Sequence, residues 1–226
     1  MKIKIISSLV LVVISLVSCN TEKKYHTSQQ ENTYVEDSTL TSFELEIQQF
    51  QNELNNEFSN PESSPLYDRH RARFTGLDFF KPDENFRVTA TLTTTPNTTP
   101  FMMPTTNPAV EKQERVYGIV EFELFSKTYQ LEVYQSTELM QTEAYADYLF
   151  LPFTDLTNGA TTYGGGRYLD LRIPKSNQIV IDFNKAYNPF CAYNVNYSCP
   201  KVPKVNHLEL EITAGVKKFN QKKATE

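Results

Sequence analysis

The sequence predicts a mainly β (α+β) domain: an antiparallel β-sandwich or partly open barrel with one N-terminal amphipathic helix packed on it. Three observations carry this. Apolar residues recur at helical spacing once, between Phe43 and Phe58. From Phe86 onward the period changes to alternation. No helix-length segment separates the alternating stretches, so successive strands must pair antiparallel.

The helix announces its own start. In Thr41-Ser42-Phe43-Glu44 the threonine oxygen can accept from the third backbone N–H while the glutamate reaches back. Phe43, Ile47, Phe50, Leu54 and Phe58 then share one face, opposite Glu46, Gln49, Asn52 and Asn56. Asn60-Pro61 ends it, because proline disfavours helix in the residue before it. Arg69, Arg71 and Arg73 follow around His70. They do not share one helical face and read as a solvated basic patch, with an anion site as the alternative.

Residues 86–92 are β-branched and alternating, hence a strand. Residues 93–108 hold many threonines and prolines and predict a long loop. Residues 116–125 and 129–134 alternate across a short Ser126-Lys127 turn and form a hairpin. The apolar run 148–153 predicts a central strand, covered on both faces. Residues 167–173, 178–183 and 207–213 bring the total to seven strands.

The N-terminus carries a different message. Lys2 and Lys4 precede 13 apolar or small residues, 5–17, and then Leu16-Val17-Ser18-Cys19. A charged start, a short apolar stretch and a small residue before the cut make a secretory signal. The apolar run falls short of the roughly 20 residues a spanning helix needs. The four-residue end resembles the lipobox of bacterial lipoproteins, in which the cysteine is lipidated and becomes the mature N-terminus. The expected organisation is a signal peptide at 1–18, a polar tether at 19–40 and a single β-rich domain at 41–226. The partner this implies is a membrane, reached through the lipid on Cys19, and the location is the cell envelope. Removing Lys2 and Lys4 takes the formal net charge from −5 to −7, which argues against nucleic acid, whose phosphates are neutralised by basic groups. Fifteen Phe and thirteen Tyr with no Trp give the core an aromatic, partly polar character.

From Leu149 the sequence is distinctive. Leu-Phe-Leu-Pro-Phe-Thr-Asp occupies 149–155 and Tyr-Gly-Gly-Gly-Arg-Tyr-Leu-Asp occupies 163–170. Asp182-Phe183-Asn184, Tyr187-Asn188-Pro189-Phe190-Cys191-Ala192-Tyr193, Cys199-Pro200 and Pro203 follow. These motifs resemble a bacterial family known as domain of unknown function 1684, most strongly over 149–215. The resemblance runs back to about Phe50, through Ser64-Pro65-Leu66, Phe74, Gly76-Leu77 and Met103-Pro104-Thr105. It implies a single domain and supplies no reaction.

Function must then be sought in the residues. Gly164, Gly165 and Gly166 precede a strand rather than a helix and carry no following Lys-Ser or Lys-Thr. A tight positive-φ turn fits them better than a phosphate cradle, with a backbone nest beside Arg167 as the anion-binding alternative. Asp155, Asp170 and Asp182 lie at strand ends or in connections, where paired carboxylates could serve as acid and base or could cap turns and pair with Arg167 and Arg172. His207 is the lone histidine of the β-rich half, and neither a His–Glu–His spacing nor a glycine-flanked serine occurs. Cys191 and Cys199, outside the cytoplasm, predict a disulfide closing a nine-residue loop, about 2.5 kcal/mol by chain entropy. Two buried free thiols are the next reading, and a metal site with His207 is the last and lacks a fourth ligand, so no metal and no cofactor is assigned. Tyrosines interleaved with asparagines suit a small polar ligand. Tyr163, Arg167, Tyr168, Asp182 and Asn184 are therefore expected to line one concave surface. The functional expectation is a lipid-anchored protein that binds a small polar ligand or an envelope partner. The alternative is a hydrolase-type enzyme using Asp182, Asp155 and Arg167.

Overall fold

Eight strands form one sheet that curls into an antiparallel half-barrel, with the N-terminal helix packed on it. The computed structural model describes residues 39–220; the expected signal peptide, Cys19 and most of the expected tether lie outside the described residues. Helix α1 spans Ser42–Ser59 and opens with the complete capping box between Thr41 and Glu44. It buries Phe43, Ile47, Leu54 and Phe58. A four-residue helix α2, Asp68–Arg71, follows and buries His70, while Arg69 and Arg73 stay exposed.

The strands are β1 (Arg87–Thr94), β2 (Phe101–Pro104), β3 (Glu111–Leu124), β4 (Lys127–Ser136), β5 (Tyr148–Asp155), β6 (Arg167–Arg172), β7 (Gln178–Asp182) and β8 (His207–Leu208). The main path runs β6-β5-β4-β3-β1-β7, with β2 also paired to β3 and β8 to β5. Every pairing is antiparallel except β5 with β8. As its unbroken apolar run requires, β5 is central, lying between β4 and β6. Leu149, Leu151 and Phe153 face the main core, and Tyr148 and Phe150 are buried as well.

Three details depart from the sequence expectation. Strand β2 lies inside the threonine- and proline-rich stretch read as a loop, because β3 extends to Glu111 and offers it an unpaired edge. The hairpin turn falls on Phe125 and Ser126 rather than Ser126-Lys127, with Lys127 already paired to Leu124. Both turn residues have positive φ, 49° and 61°, the sense that matches the right-handed twist of the flanking strands. The expected strand at 207–213 shrinks to β8. Beyond it Ile212 and Ala214 are buried in the main core without further ladder pairing.

The main core joins β1, β3, β4, β5, β6 and β7 to Phe183, Ala186, Leu208, Ile212 and Ala214. A second cluster seats the end of α1: Leu54 and Phe58 pack with Leu66 and Tyr193, the Phe58 and Tyr193 rings edge-to-face at 4.7 Å. The start of α1 is held by charge. Glu46 accepts from Arg87 at 2.7 Å and from Lys185 at 2.5 Å. Among the described residues no helix is long and apolar enough to cross a membrane.

Candidate functional site

Arg167 opens β6 on the core side of the sheet, the same side as Leu169 and Leu171. Its side chain and that of Asp155 both have zero exposure, with 3.0 Å between Nη2 and Oδ2. Nη2 also donates to the Ile212 carbonyl at 2.7 Å, Nη1 donates to the Ala214 carbonyl, and the guanidinium lies 5.2 Å from the Phe153 ring centre. Burial pulls the arginine below its ordinary value and Asp155 opposes that; a guanidinium stays charged in any case. The other carboxylate oxygen of Asp155 accepts from the Thr157 backbone at 2.8 Å, the Thr157 hydroxyl at 2.5 Å and Ile212 N at 3.2 Å. This ion pair is an internal clasp. It joins β5 and β6 to the C-terminal segment and presents nothing to solvent.

Asp182 and Asn184 form a second, separate group at the end of β7. Asp182 Oδ1 caps the turn over Phe183–Lys185 by accepting from Asn184 N at 3.0 Å and from the Asn184 amide at 2.9 Å. Asn184 in turn bonds the Asp83 backbone twice, at 2.9 Å each. Both residues are buried, and Arg87 Nε lies 3.7 Å from Asp182.

Tyr168, next to Arg167 on the strand, points to the opposite face, as strand geometry requires. It is buried against Phe150 with ring centres 4.8 Å apart, and its hydroxyl donates to the Pro200 carbonyl. On the same face Asp170 Oδ1 accepts from the hydroxyls of Tyr148, at 2.7 Å, and Tyr187, at 2.6 Å.

The five residues expected to line one concave surface therefore do not do so. Arg167 is sealed in the core, Asp182 and Asn184 brace a turn, Tyr168 faces away from Arg167, and Tyr163 sits with the cysteines. The set Asp182, Asp155 and Arg167 is likewise divided, since Asp155 and Arg167 neutralise each other while Asp182 serves its own turn. The glycine run is a turn: Gly166 has φ +91° and donates to the Tyr163 carbonyl at 3.2 Å. A Cβ on Gly165 would come within 2.5 Å of the Tyr163 ring, so the tyrosine lies directly over it.

Reactive groups do converge at Cys191 and Cys199, which stand side by side as separate thiols and not in the disulfide expected of them. The Cys191 N–H donates to Cys199 Sγ at 3.1 Å. The Tyr163 hydroxyl lies 3.8 Å from Cys191 Sγ, and Thr106 Oγ1 accepts from Cys199 N at 3.1 Å. Cys191 is half-buried while Cys199 is buried. The Cys199 thiol pulls Cys191 down to about 7 against the opposing effect of burial, with further help from Tyr163, Thr106 and the Cys191 backbone N–H. Burial and the adjacent Cys191 push the Tyr163 hydroxyl up to about 12, so it keeps its proton at neutral pH. His207 is engaged elsewhere, with Nδ1 2.9 Å from the Thr154 hydroxyl and Nε2 3.5 Å from Glu209.

Residues 72–217 match the model of a protein family of unknown function, DUF1684. The chain belongs to this family. The DUF1684 domain is similar to a solved structure, the solution NMR structure of an uncharacterized protein from Haloarcula marismortui. The two are 32% identical over 77% of this chain and 93% of that one, with a TM-score of 0.61. The relative is archaeal, so the architecture extends beyond the bacterial chains that the motifs first suggested. No curated protein matches.

Of the groups beside the thiols, Thr106 was not named from the sequence, and Tyr163 was named but with other neighbours. Thr106 lies in the stretch read as a loop and reaches the thiols only because β2 carries it there, through the Thr105–Pro200 bridge. The placement of Tyr163 over Cys191 depends on the glycine turn folding back, which alternation patterns do not reveal.

Proposed function

We propose that this DUF1684 chain is a lipoprotein of the cell envelope, anchored to a membrane by a lipid on Cys19, whose domain binds a small polar ligand or an envelope partner without catalysing hydrolysis. The observation that carries the anchor is the run Leu16-Val17-Ser18-Cys19 directly behind a charged start and a 13-residue apolar stretch. Binding is favoured over hydrolysis by the use the fold makes of its acids. A general acid or base must come within hydrogen-bond reach of a substrate, and Asp155 and Arg167 have no exposed surface. Among the residues that stay half-exposed between Asp155 and Cys199 are Tyr163, Asp170, Tyr187 and Tyr197. Rigid aromatic faces beside hydrogen-bonding groups suit a small polar ligand.

The test is metabolic labelling with palmitate in a bacterial host. The wild type takes label and fractionates with membranes, while Cys19→Ala takes none and is released or stays unprocessed. Normal labelling of that variant refutes the anchor. For the binding half, calorimetry against a panel of mono- and disaccharides should give heat that Tyr187→Phe or Asp170→Asn removes without changing the melting temperature.

A further inference from the structure

Between a permanent disulfide and two inert thiols the geometry points to a third state. We propose that Cys191 and Cys199 form a reversible dithiol–disulfide couple that reduces a small disulfide, with Cys191 as the attacking thiol, Cys199 as the resolving thiol, and Tyr163 and Thr106 as positioning residues.

The two cysteines differ in the way such a division of labour needs. Cys191 is half-buried and open to a small reactant, whereas Cys199 is 1% exposed and meets only what is already on Cys191. They are held close before any bond forms, since the Cys191 N–H donates to Cys199 Sγ at 3.1 Å. The Tyr163 hydroxyl, 3.8 Å from Cys191 Sγ, is aimed at the sulfur that attacks, and Gly165 fixes the ring by leaving it room. Thr106 Oγ1 accepts from the Cys199 backbone N–H, tying the loop to the end of β2. Hydrogen bonds that favour a thiolate stabilise the reduced couple, and a stabilised reduced form makes the disulfide a stronger oxidant and easier to reopen. A structural disulfide has no use for such donors. The lowered Cys191 value, about 7, adds to the geometry by placing much of that thiol in its nucleophilic form near neutrality.

The chemistry balances as two exchanges. The Cys191 thiolate attacks one sulfur of an external disulfide, R–S–S–R. The Cys191–S–S–R bond forms, the external S–S bond breaks, and one R–S⁻ leaves. Cys199 gives its proton to the departing thiolate and attacks Cys191 Sγ. The Cys191–Cys199 bond forms and the second R–S⁻ leaves, taking a proton from solvent. One external disulfide is reduced to two thiols, and two protein thiols are oxidised to one disulfide. The couple lies wholly within the DUF1684 domain and does not depend on the lipid anchor.

Glutathione disulfide is the probe. The reduced protein is exposed to it, quenched with acid, and read by intact mass and peptide mapping, which separates both thiols from Cys19. The wild type should close its disulfide without accumulating adduct. Cys199→Ser should stall with one glutathionyl group on Cys191, and Cys191→Ser should take none on Cys199. Limiting iodoacetamide should modify Cys191 ahead of Cys199 with a rate midpoint near pH 7, and Tyr163→Phe should move that midpoint upward while the melting temperature holds. If Cys199→Ser does not fold, rapid-quench trapping of the mixed disulfide in the wild type gives the same reading. Three results would overturn the proposal: equal modification of both thiols, no trapped adduct on Cys191, or a disulfide that reduced glutathione opens only after the protein is unfolded.

Discussion

Replacing Arg167 with methionine isolates the internal clasp, because methionine keeps length and apolar bulk while removing every donor. The guanidinium satisfies one carboxylate oxygen at 3.0 Å and the carbonyls of Ile212 and Ala214, with neither side chain of the ion pair exposed. Removing one member of a buried ion pair costs about 3–5 kcal/mol, since the other charge is left unpaired in a dry site. For a domain of this size each kcal/mol lowers the melting temperature by about 2–4 °C, so Arg167→Met should melt about 6–20 °C lower. The decisive measurement is the second substitution. Asp155→Asn removes the stranded charge yet keeps an oxygen for the Thr157 and Ile212 N–H groups, so the double variant should melt above Arg167→Met alone. Thermal denaturation by circular dichroism reads both. A single variant within about 2 °C of wild type, or a double variant that loses the sum of the two single losses, would show that Arg167 does not hold the fold in this way.

Three further perturbations follow from local geometry. Burial, aided by Arg69, lowers His70 from its ordinary 6.5; the folded state therefore favours the neutral ring. Its contribution to stability is complete above about pH 6.5 and is lost as pH falls through the lower folded-state value, so the acid-side decline in melting temperature should be shallower in His70→Gln. Ser126 holds φ 61° in the hairpin turn; Ser126→Gly relieves a left-handed conformation that costs about 1 kcal/mol and should raise the melting temperature by a few degrees in calorimetry. Thr41→Ala removes the hydroxyl that accepts from Glu44 N at 3.1 Å and should cost about 1 kcal/mol in urea denaturation with an unchanged slope.

Elements fixed by local rules were legible in the sequence. Helix α1 could be read because cap, stripe and terminating proline all act within a few residues of one another. The β3–β4 hairpin and central β5 could be read because alternation and an unbroken apolar run report burial directly. The errors arose where a distant partner decided the outcome. Residues 101–104 look like loop until the unpaired edge of β3 reaches them. Residues 207–213 alternate like a strand, yet only two find a ladder and Ile212 fills the core instead. Arg167 after three glycines left two readings open, a partner for a nearby aspartate or an anion binder; what decides between them lies 12, 45 and 47 positions away. Of the candidate site, the cysteine pair was visible, while the tyrosine and threonine beside it were assembled by the fold.

The segment after β8, which adds Ile212 and Ala214 to the main core, bears on the order in which the protein is built. Leu210 accepts from Leu156 N, Gly215 from Phe80 N, and Val216 donates to Ala186, while Lys217 bonds Asp78. The final stretch thus touches the middle and the beginning of the domain at once, and it brings the two carbonyls that accept from Arg167. During synthesis β6 emerges with a charged residue bound for the interior, Asp155 already there to pair with it and those carbonyls still to come. Such long-range closure makes folding slow and late: the last turn of the chain works as a latch.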